Sequence, residues 1–188
     1  QDKVTRGAFG LVNGKPEIVW PSAIGPESVL YKFPNPNDAS KGVPTTTTKG
    51  AQRWLTNQAV GGGPVLVKEG RIRNTSKEEG FAGSHLIRHP RTAIGYLNDE
   101  TILMMVVDGR QQASAGVTLD ELAQMMHEVG CYEAVNLDGG GSSAMVAADE
   151  VVNIPVDKPE GNRYSLRRNA SALVLTAQKP SPAQQILY

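Results

Sequence analysis

The sequence predicts an α/β (mixed α+β) fold. Its core is a mixed β-sheet with a parallel β-α-β unit, several hairpins and a few flanking helices. The unit is indicated by an apolar run at 102–107, an amphipathic segment at 118–130 and a second apolar run at 134–137. Strand, helix and strand in succession are typical of a right-handed crossover between parallel strands. Turn signals on both sides of the unit add antiparallel hairpins.

The composition is that of an ordinary globular domain. The chain has 188 residues, of which 39% are hydrophobic and 20% charged, so we expect a single domain over residues 1–188. The formal net charge is zero, which argues against nucleic acid as a partner, and no apolar run has the length of a membrane span. Residues 21–50 are predicted to form a long surface loop and residues 179–188 a C-terminal extension.

The N-terminal part contains two hairpin patterns. The segment 8–20 has apolar runs on both sides of Asn13-Gly14, a dipeptide that favours a tight hairpin turn. Residues 52–60 are predicted to form a short helix. A glycine triplet at 61–63 then interrupts the chain before a second hairpin at 65–72, whose turn lies at 68–70.

The middle of the chain supplies the predicted parallel unit. Residues 90–96 enter a strand, and the run 102–107 is apolar on both faces, as in a central strand that is covered on both sides. Thr118 and Glu121 have the spacing of a capping box, and Gly130 stands where a helix commonly ends. Beyond the strand at 134–137, the pattern predicts a hairpin over 144–154 and a last strand at 172–175.

Two carboxylates mark one edge of the predicted sheet. Asp108 and Asp138 each follow a strand of the parallel unit, so they are expected to lie close together at its carboxyl edge. After Asp138 come Gly139 to Gly141, whose backbone N–H groups are able to converge on an anion. Paired carboxylates are typical of glycoside cleavage, and the arginines nearby suit bidentate contact with phosphate. The pattern therefore favours a ligand that contains both sugar and phosphate.

Other readings of the glycine-rich stretch fit less well. Gly139, Gly141 and Ala144 match a dinucleotide fingerprint by letter, but no helix is predicted after them. A P-loop would need Gly-Lys-Ser or Gly-Lys-Thr, and a serine hydrolase would need Gly-x-Ser-x-Gly. The three histidines show no zinc-ligand spacing.

Four blocks of the chain resemble the phosphodiester glycosidase family. They are Pro-Arg-Thr-Ala-Ile-Gly at 90–95, Val-Asp-Gly-Arg at 107–110, the helix at 118–130 and Asn-Leu-Asp-Gly-Gly-Gly-Ser-Ser at 136–143. The block order and spacing agree from about 61 to 175. The family includes enzymes that remove N-acetylglucosamine from a mannose phosphate diester and bacterial proteins linked to exopolysaccharide.

The resemblance implies a hydrolase that cleaves a glycosyl phosphodiester outside the cytoplasm, in the periplasm, at the cell surface or as a secreted protein. It implies no required cofactor, although a divalent cation, Ca²⁺ or Mg²⁺, is compatible with the carboxylates. Carried over by position, the implied catalytic residues are Asp108, Asp138, Arg91 and Thr92. The implied substrate-binding residues are Gly139, Gly140, Gly141, Ser142, Ser143, Arg110 and Arg167.

One departure from the family pattern concerns the N-terminus. The family generally has an Asn-Gly-Gly-aromatic turn upstream, and none precedes residues 6–9 here. We therefore expect that one or more N-terminal strands are missing from this chain and that such a segment associates with it. Two alternatives stay open at this point: a non-catalytic module that binds carbohydrate or cell envelope, and a phosphodiesterase that cleaves the P–O bond on the other side of the linkage.

Overall fold

The computed structural model of the chain describes residues 5–25, 28–36, 50–81, 83, 85–156, 166–169 and 171–176. Within these residues there is one α-helix, α1 (Leu119–Glu128), and no helix long and apolar enough to cross a membrane. The strands are β1 (Ala8–Val12), β2 (Lys15–Ile24), β3 (Val29–Phe33), β4 (Gln52–Arg53), β5 (Gln58–Gly61), β6 (Val65–Lys68), β7 (Arg71–Ile72), β8 (Arg91–Tyr96), β9 (Ile102–Val107), β10 (Glu133–Asn136), β11 (Val146–Ala147) and β12 (Glu150–Val151).

The first sheet has the strand order β4-β3-β2-β1-β5, and all of its pairs are antiparallel. The predicted N-terminal hairpin is confirmed, because β1 pairs with β2 up to Val12 opposite Lys15. Asn13 and Gly14 form its turn with φ of 52° and 80°. Two residues with positive φ are what a tight hairpin turn requires, and Asn-Gly accepts this conformation at low cost.

Two predictions for this region differ from the structure. The helix expected at 52–60 is wrong, since β4 and β5 occupy most of it. Trp54, between them, is 4% exposed, packs where Gly10 leaves room, and donates from Nε1 to Glu17 at 3.0 Å. This packing outweighs a weak local helix preference. The predicted loop at 21–50 contains the end of β2 and all of β3, and residues 37–49 lie outside the described part of the chain.

The second sheet corrects the predicted fold class. Its order is β7-β6-β10-β8-β9 and every pair is antiparallel, so the parallel β-α-β unit and the α/β class are wrong. Strand β8 lies between β9 and β10, with Arg91 opposite Val107 and Ala93 opposite Asn136. Because β9 and β10 are both antiparallel to β8, they run in the same direction without pairing. Helix α1 connects them across β8.

The apolar strand patterns arise from burial on two faces. Ala93 and Ala134 face a core cluster that includes Leu122 and Met126 of α1. The adjacent Ile94 and Val135 face a second cluster shared with β1 and β2. A sheet between a helix and another sheet is apolar on both faces whichever strands pair, so the pattern indicated coverage correctly and strand pairing wrongly. Strand β9, expected at the centre, ends the described sheet and is half-buried throughout.

Helix α1 is confirmed as predicted. Thr118 accepts from the Glu121 N–H at 3.1 Å, and Glu121 accepts from the Thr118 N–H at 2.9 Å. These two hydrogen bonds complete the capping box. At the other end, Gly130 has φ of 89°. Cys131, three residues beyond the helix, is buried and its thiol pKa is raised by burial.

The C-terminal part is less regular than predicted. The expected hairpin is confirmed in a shorter form, with β11 and β12 joined by Ala148 and Asp149 at φ of 50° and 64°. The strand expected at 172–175 is wrong, since the described residues 171–176 are exposed and form no strand. The extension at 179–188 lies outside the described residues.

The contact between β8 and β10 gives a direct test of this topology. A Cβ on Gly95 would lie 2.6 Å from the Glu133 carbonyl oxygen and 2.9 Å from the Cys131 Sγ. We therefore expect Gly95→Ala to lower the free energy of unfolding by about 1–3 kcal/mol, as overpacking does. Urea denaturation followed by circular dichroism measures the change.

Gly61→Ala is the matched control for this test. Gly61 is also a strand glycine, but nothing lies within 4 Å of a Cβ built there. Its replacement is expected to change stability by less than about 0.5 kcal/mol. Equal effects of the two substitutions would contradict the β8–β10 pairing described above.

Candidate active site

The candidate site lies where three strands of the second sheet end together. The start of β8 is flanked by the end of β9 and the end of β10. The backbone beyond β10 stays attached to β8, with the Leu137 N–H on the Thr92 carbonyl and the Gly140 N–H on the Pro90 carbonyl, both at 2.8 Å. The loops that carry Asp108 and Asp138 therefore leave the sheet at the same edge, although the strands are not parallel neighbours.

A cavity of about 590 Å³ opens at this edge, between the two sheets. Two arginines, Arg6 and Arg91, and one carboxylate, Asp138, supply its charged lining. Most of the remaining lining is backbone or apolar surface. It comprises Gly7, Ala8, Pro21, Gly61, Gly62, Gly63, Phe81, Leu119, Asn136, Leu137 and Gly139.

The glycine triplet at 61–63 forms one wall, and side chains do not fit at Gly62 or Gly63. A Cβ on Gly62 would lie 2.4 Å from the Asn136 carbonyl oxygen. On Gly63, which has φ of 124°, it would lie 2.6 Å from Glu79 Oε2. Real Cβ atoms do not approach so closely, so backbone without side chains forms this part of the wall. A ligand in the cavity would thus meet peptide groups on this side.

Glu79 fixes that wall from behind. Its carboxylate is fully buried and accepts hydrogen bonds from the Gly7 N–H at 2.7 Å, the Val65 N–H at 2.9 Å and Trp20 Nε1 at 2.7 Å. The Thr75 hydroxyl donates to it as well. A buried carboxylate is tolerated when it accepts several such bonds. Glu79 thereby connects the N-terminal segment, the first sheet and the second sheet around the cavity.

Asn136 joins the glycine wall to the loop that carries Asp138. Its side-chain Nδ2 donates to the Gly63 carbonyl and to the Leu137 carbonyl, each at 2.8 Å. Both partners are carbonyl oxygens, which sets the orientation of the amide. The buried Oδ1 has no hydrogen-bond partner among the described residues.

Asp138 and Arg91 are the predicted site residues that the cavity brings together. Asp138 is exposed, and its Oδ1 accepts from the Gly139 N–H at 3.0 Å. Arg91 is 8% exposed and donates from Nε to the Val117 carbonyl at 3.1 Å and from Nη2 to the Ile87 carbonyl at 2.8 Å. Burial, together with the charge of Arg110, lowers the pKa of Arg91. A guanidinium nevertheless stays protonated in proteins, so Arg91 is a fixed cation here.

Asp108 does not line the cavity. Its Oδ1 accepts from Asn153 Nδ2 at 2.9 Å and from the Ile154 N–H at 3.0 Å, and its Oδ2 lies 3.1 Å from the same N–H. The carboxylate therefore anchors the segment that follows the β11–β12 hairpin. Thr92 and Ser143 also lie outside the lining and form a hydroxyl pair at 3.1 Å.

The other predicted positions are distributed around the edge of the sheet. Gly139 lines the cavity, whereas Gly140, Gly141, Ser142, Arg110 and Arg167 do not. Arg110 lies against Gly140, and its Nη2 is 3.3 Å from His89 Nδ1. Arg167 is exposed, in the segment whose Asn169 side chain reaches the Ser142 carbonyl at 3.5 Å.

The side chains that shape the cavity but were absent from the predicted set include Arg6, Glu79, Phe81 and Asn136. The first three lie in stretches with no motif, and their role depends on contacts between distant parts of the chain. Asn136 could have been found from the sequence, because it is the first residue of the block 136–143.

Among the described residues, no group of three or more His, Cys, Asp or Glu side chains is arranged to hold a metal ion. The Ca²⁺ or Mg²⁺ ion stays a prediction.

Fold and cavity together define an antiparallel β-sheet domain with a cavity at the sheet edge, whose charged lining is Arg6, Arg91 and Asp138. The sequence matches the phosphodiester glycosidase family model over residues 9–176. The chain therefore belongs to the phosphodiester glycosidase family, as its sequence blocks indicated.

Individual relatives match shorter stretches. The SPbeta prophage-derived protein YomE of Bacillus subtilis is 39% identical over 88 residues, which cover 47% of this chain and 13% of that protein. The human N-acetylglucosamine-1-phosphodiester alpha-N-acetylglucosaminidase is 32% identical over 84 residues, which cover 45% of this chain and 16% of the enzyme. The matched stretch is thus less than a fifth of either relative.

A solved structure supports the fold over a longer stretch. The catalytic domain of the zebrafish N-acetylglucosamine-1-phosphodiester alpha-N-acetylglucosaminidase, auto-inhibited by its pro-peptide, superposes with a TM-score of 0.58. The superposition covers 87% of this chain and 49% of the zebrafish chain at 18% identity. At 18% identity this superposition shows a shared fold alone.

His89 provides a pH-dependent test of the charges around the site. Partial burial, together with the charges of Arg110 and Arg91, lowers the pKa of His89 below its usual 6.5. We expect an NMR titration to give a midpoint below 6.5 and Arg110→Gln to raise it. Since the folded state binds fewer protons at His89 than the unfolded chain, acidification from pH 7 through this midpoint destabilises the fold.

Arg71→Gln serves as the control for this titration, because Arg71 is exposed on β7 and is not among the charges that shift His89. That variant should leave the midpoint unchanged. A midpoint that does not respond to Arg110→Gln would contradict the contact between Arg110 and His89.

Proposed function

We propose that this chain hydrolyses a glycosyl phosphodiester at the bond between the sugar and the phosphate. The observation that carries the proposal is the cavity whose lining combines exposed Asp138, buried Arg91 and a wall of glycine backbone. Membership in the phosphodiester glycosidase family supports the same reaction class. N-acetylglucosamine phosphodiesters are the first substrates to test, because the human relative is named for that substrate.

The chemistry of the leaving group suits a cavity with one carboxylate. Cleavage at the sugar carbon releases a phosphate monoester, whose second pKa is about 6, so it departs as an anion near neutral pH. Such a group needs charge stabilisation more than a proton. The fixed cation Arg91 is proposed to supply that stabilisation, as preorganised charges do in transition states.

Asp138 is proposed to act at the anomeric carbon. As a nucleophile it would form a glycosyl-enzyme intermediate, which water then hydrolyses with retention of configuration. As a base it would take a proton from a water molecule that attacks with inversion. Its exposure leaves the carboxylate accessible to either step, and the anomer of the released sugar, observed by NMR, distinguishes them.

Two further predictions belong to this proposal. An extracytoplasmic location and an associated N-terminal segment follow from the resemblance to the family and stay predictions. The auto-inhibiting pro-peptide is a property of the zebrafish enzyme. Cell fractionation with an antibody against this chain would test the location.

Replacement of Asp138 tests the proposed chemistry. We expect Asp138→Asn to lower kcat for an N-acetylglucosamine phosphodiester by about 10²–10⁴-fold, the usual contribution of a positioned acid or base. Stability should stay nearly the same, because the exposed side chain keeps its acceptor oxygen for the Gly139 N–H. Thermal unfolding measures the second quantity.

Asp149→Asn is the matched control, since Asp149 is exposed in the β11–β12 turn and asparagine accepts its φ of 64°. Full turnover by Asp138→Asn would rule out the role given to Asp138. Hydrolysis in ¹⁸O-labelled water adds a second readout. Label in the sugar supports the proposed bond, and label in the phosphate would identify the phosphodiesterase alternative instead.

Replacement of Asp108 tests whether this residue shares the acid–base work, as the resemblance implies. Its carboxylate accepts from the 153–154 segment, so Asp108→Asn turns an acceptor into a donor facing N–H groups. We expect a loss of about 1–3 kcal/mol in stability. Turnover should exceed that of Asp138→Asn at a temperature where both variants are folded.

The opposite result is equally informative. A loss of turnover as large as that of Asp138→Asn, with unchanged thermal unfolding, would support the two-carboxylate mechanism in place of the anchoring role.

A further inference from the structure

The two arginines of the cavity differ in what their guanidinium groups already contact. Arg91 is 8% exposed and directs Nε and Nη2 to backbone carbonyls. Arg6 is exposed, and its guanidinium lies over the Phe81 ring, 4.7 Å from the centroid. Among the described residues, the ion pairs do not include Arg6.

The backbone next to Arg6 is fixed on both sides. The Gly7 N–H donates to buried Glu79 at 2.7 Å, and the Gly7 carbonyl accepts from the Gly62 N–H at 2.8 Å. Phe81 is held in turn by the hydrogen bond of its N–H to the Ser76 carbonyl at 2.7 Å. Both partners of the cation–ring contact are therefore attached to the buried framework that forms the glycine wall. A side chain restricted in this way loses less entropy when a ligand binds.

The charge balance of the cavity points to an anionic ligand. The charged side chains that line it are two arginines and one carboxylate, so positive side chains outnumber negative ones in the described lining. The Glu79 carboxylate lies behind the glycine wall and already accepts hydrogen bonds from the Gly7 N–H, the Val65 N–H and Trp20 Nε1. A phosphodiester carries one negative charge and suits such a lining. A guanidinium placed on an aromatic face keeps its N–H donors at the edge, where the spacing matches two oxygens of a phosphate.

We propose that Arg6, supported by Phe81, is the specificity-determining residue that recognises the phosphate of the substrate. This inference rests on the proposed function and deepens it. Arg91 provides fixed charge beside Asp138, whereas Arg6 provides the accessible donors that distinguish a phosphate-bearing sugar from a neutral one. Arg6 is thus expected to act in binding more than in the chemical step.

The experiment compares three variants of the 188-residue chain. Arg6→Gln removes the charge, Arg6→Lys keeps the charge but loses the planar donor pair, and Arg71→Gln removes an exposed arginine of β7 outside the cavity. Calorimetry measures the affinity for N-acetylglucosamine α-1-phosphate. Steady-state kinetics with the matching phosphodiester measures KM and kcat, and thermal unfolding confirms that each variant is folded.

We expect Arg6→Gln to weaken sugar-phosphate binding about tenfold or more, the usual effect of losing a hydrogen bond to a charged group. KM should rise with little change in kcat, which separates a binding role from a catalytic one. The affinity of Arg6→Lys for the sugar phosphate should lie between those of Arg6→Gln and the parent chain, because a point charge replaces a bidentate contact. Arg71→Gln should have the same affinity, KM and kcat as the parent chain.

The possible failures are distinguishable. If the parent chain hydrolyses the diester and Arg6→Gln binds and turns over like Arg71→Gln, the assignment of Arg6 is overturned and the proposed function stands. If sugar-phosphate binding depends on Arg6 but no diester is hydrolysed, the proposed function is overturned and the assignment of Arg6 to phosphate recognition stands. If the parent chain neither binds the sugar phosphate nor hydrolyses the diester, both are overturned.

Discussion

The pairing of β8 with both β9 and β10 is the constraint on which the candidate site depends. It brings the start of one strand between the ends of two others, so that Arg91 begins β8 beside the loops that carry Asp108 and Asp138. The hydrogen bonds from Leu137 and Gly140 back to β8 then hold the glycine-rich loop against the same edge. In open α/β sheets the ligand crevice lies outside the carboxyl ends of neighbouring parallel strands. Here one antiparallel strand, inserted between two that run in the same direction, has the same result.

Buried polar groups hold the opposite side of the cavity. The Glu79 carboxylate joins Gly7, Trp20 and Val65, which belong to three different segments, and Asn136 joins Gly63 to Leu137. Each bond replaces contacts with water that burial removes, so loss of one partner would leave another group unsatisfied. Such networks favour a single arrangement of the chain. The cavity wall is therefore backbone held in place by a few buried side chains.

Local features of the fold could be predicted from the sequence, whereas strand order could not. The Thr118–Glu121 capping box and the Asn13-Gly14 turn depend on neighbours within a few residues, and both are present. The position of β8 depends on pairing across the chain, and an apolar run such as 102–107 shows coverage on two faces without showing direction. The same limit applies to the site. Asp138 stood out within a motif, but Arg6 becomes significant through contacts with residues more than fifty positions away.

The distribution of charge connects this architecture to the proposed reaction. Of the two carboxylates at the sheet edge, Asp138 lines the cavity and Asp108 is engaged by the segment after β12. A glycosidase with a poor leaving group would need a second carboxyl group as proton donor. A phosphate monoester leaves as a stable anion, for which positive charge substitutes for a proton. Two arginines and one carboxylate in the same cavity are thus better suited to a glycosyl phosphodiester than to an ordinary glycoside.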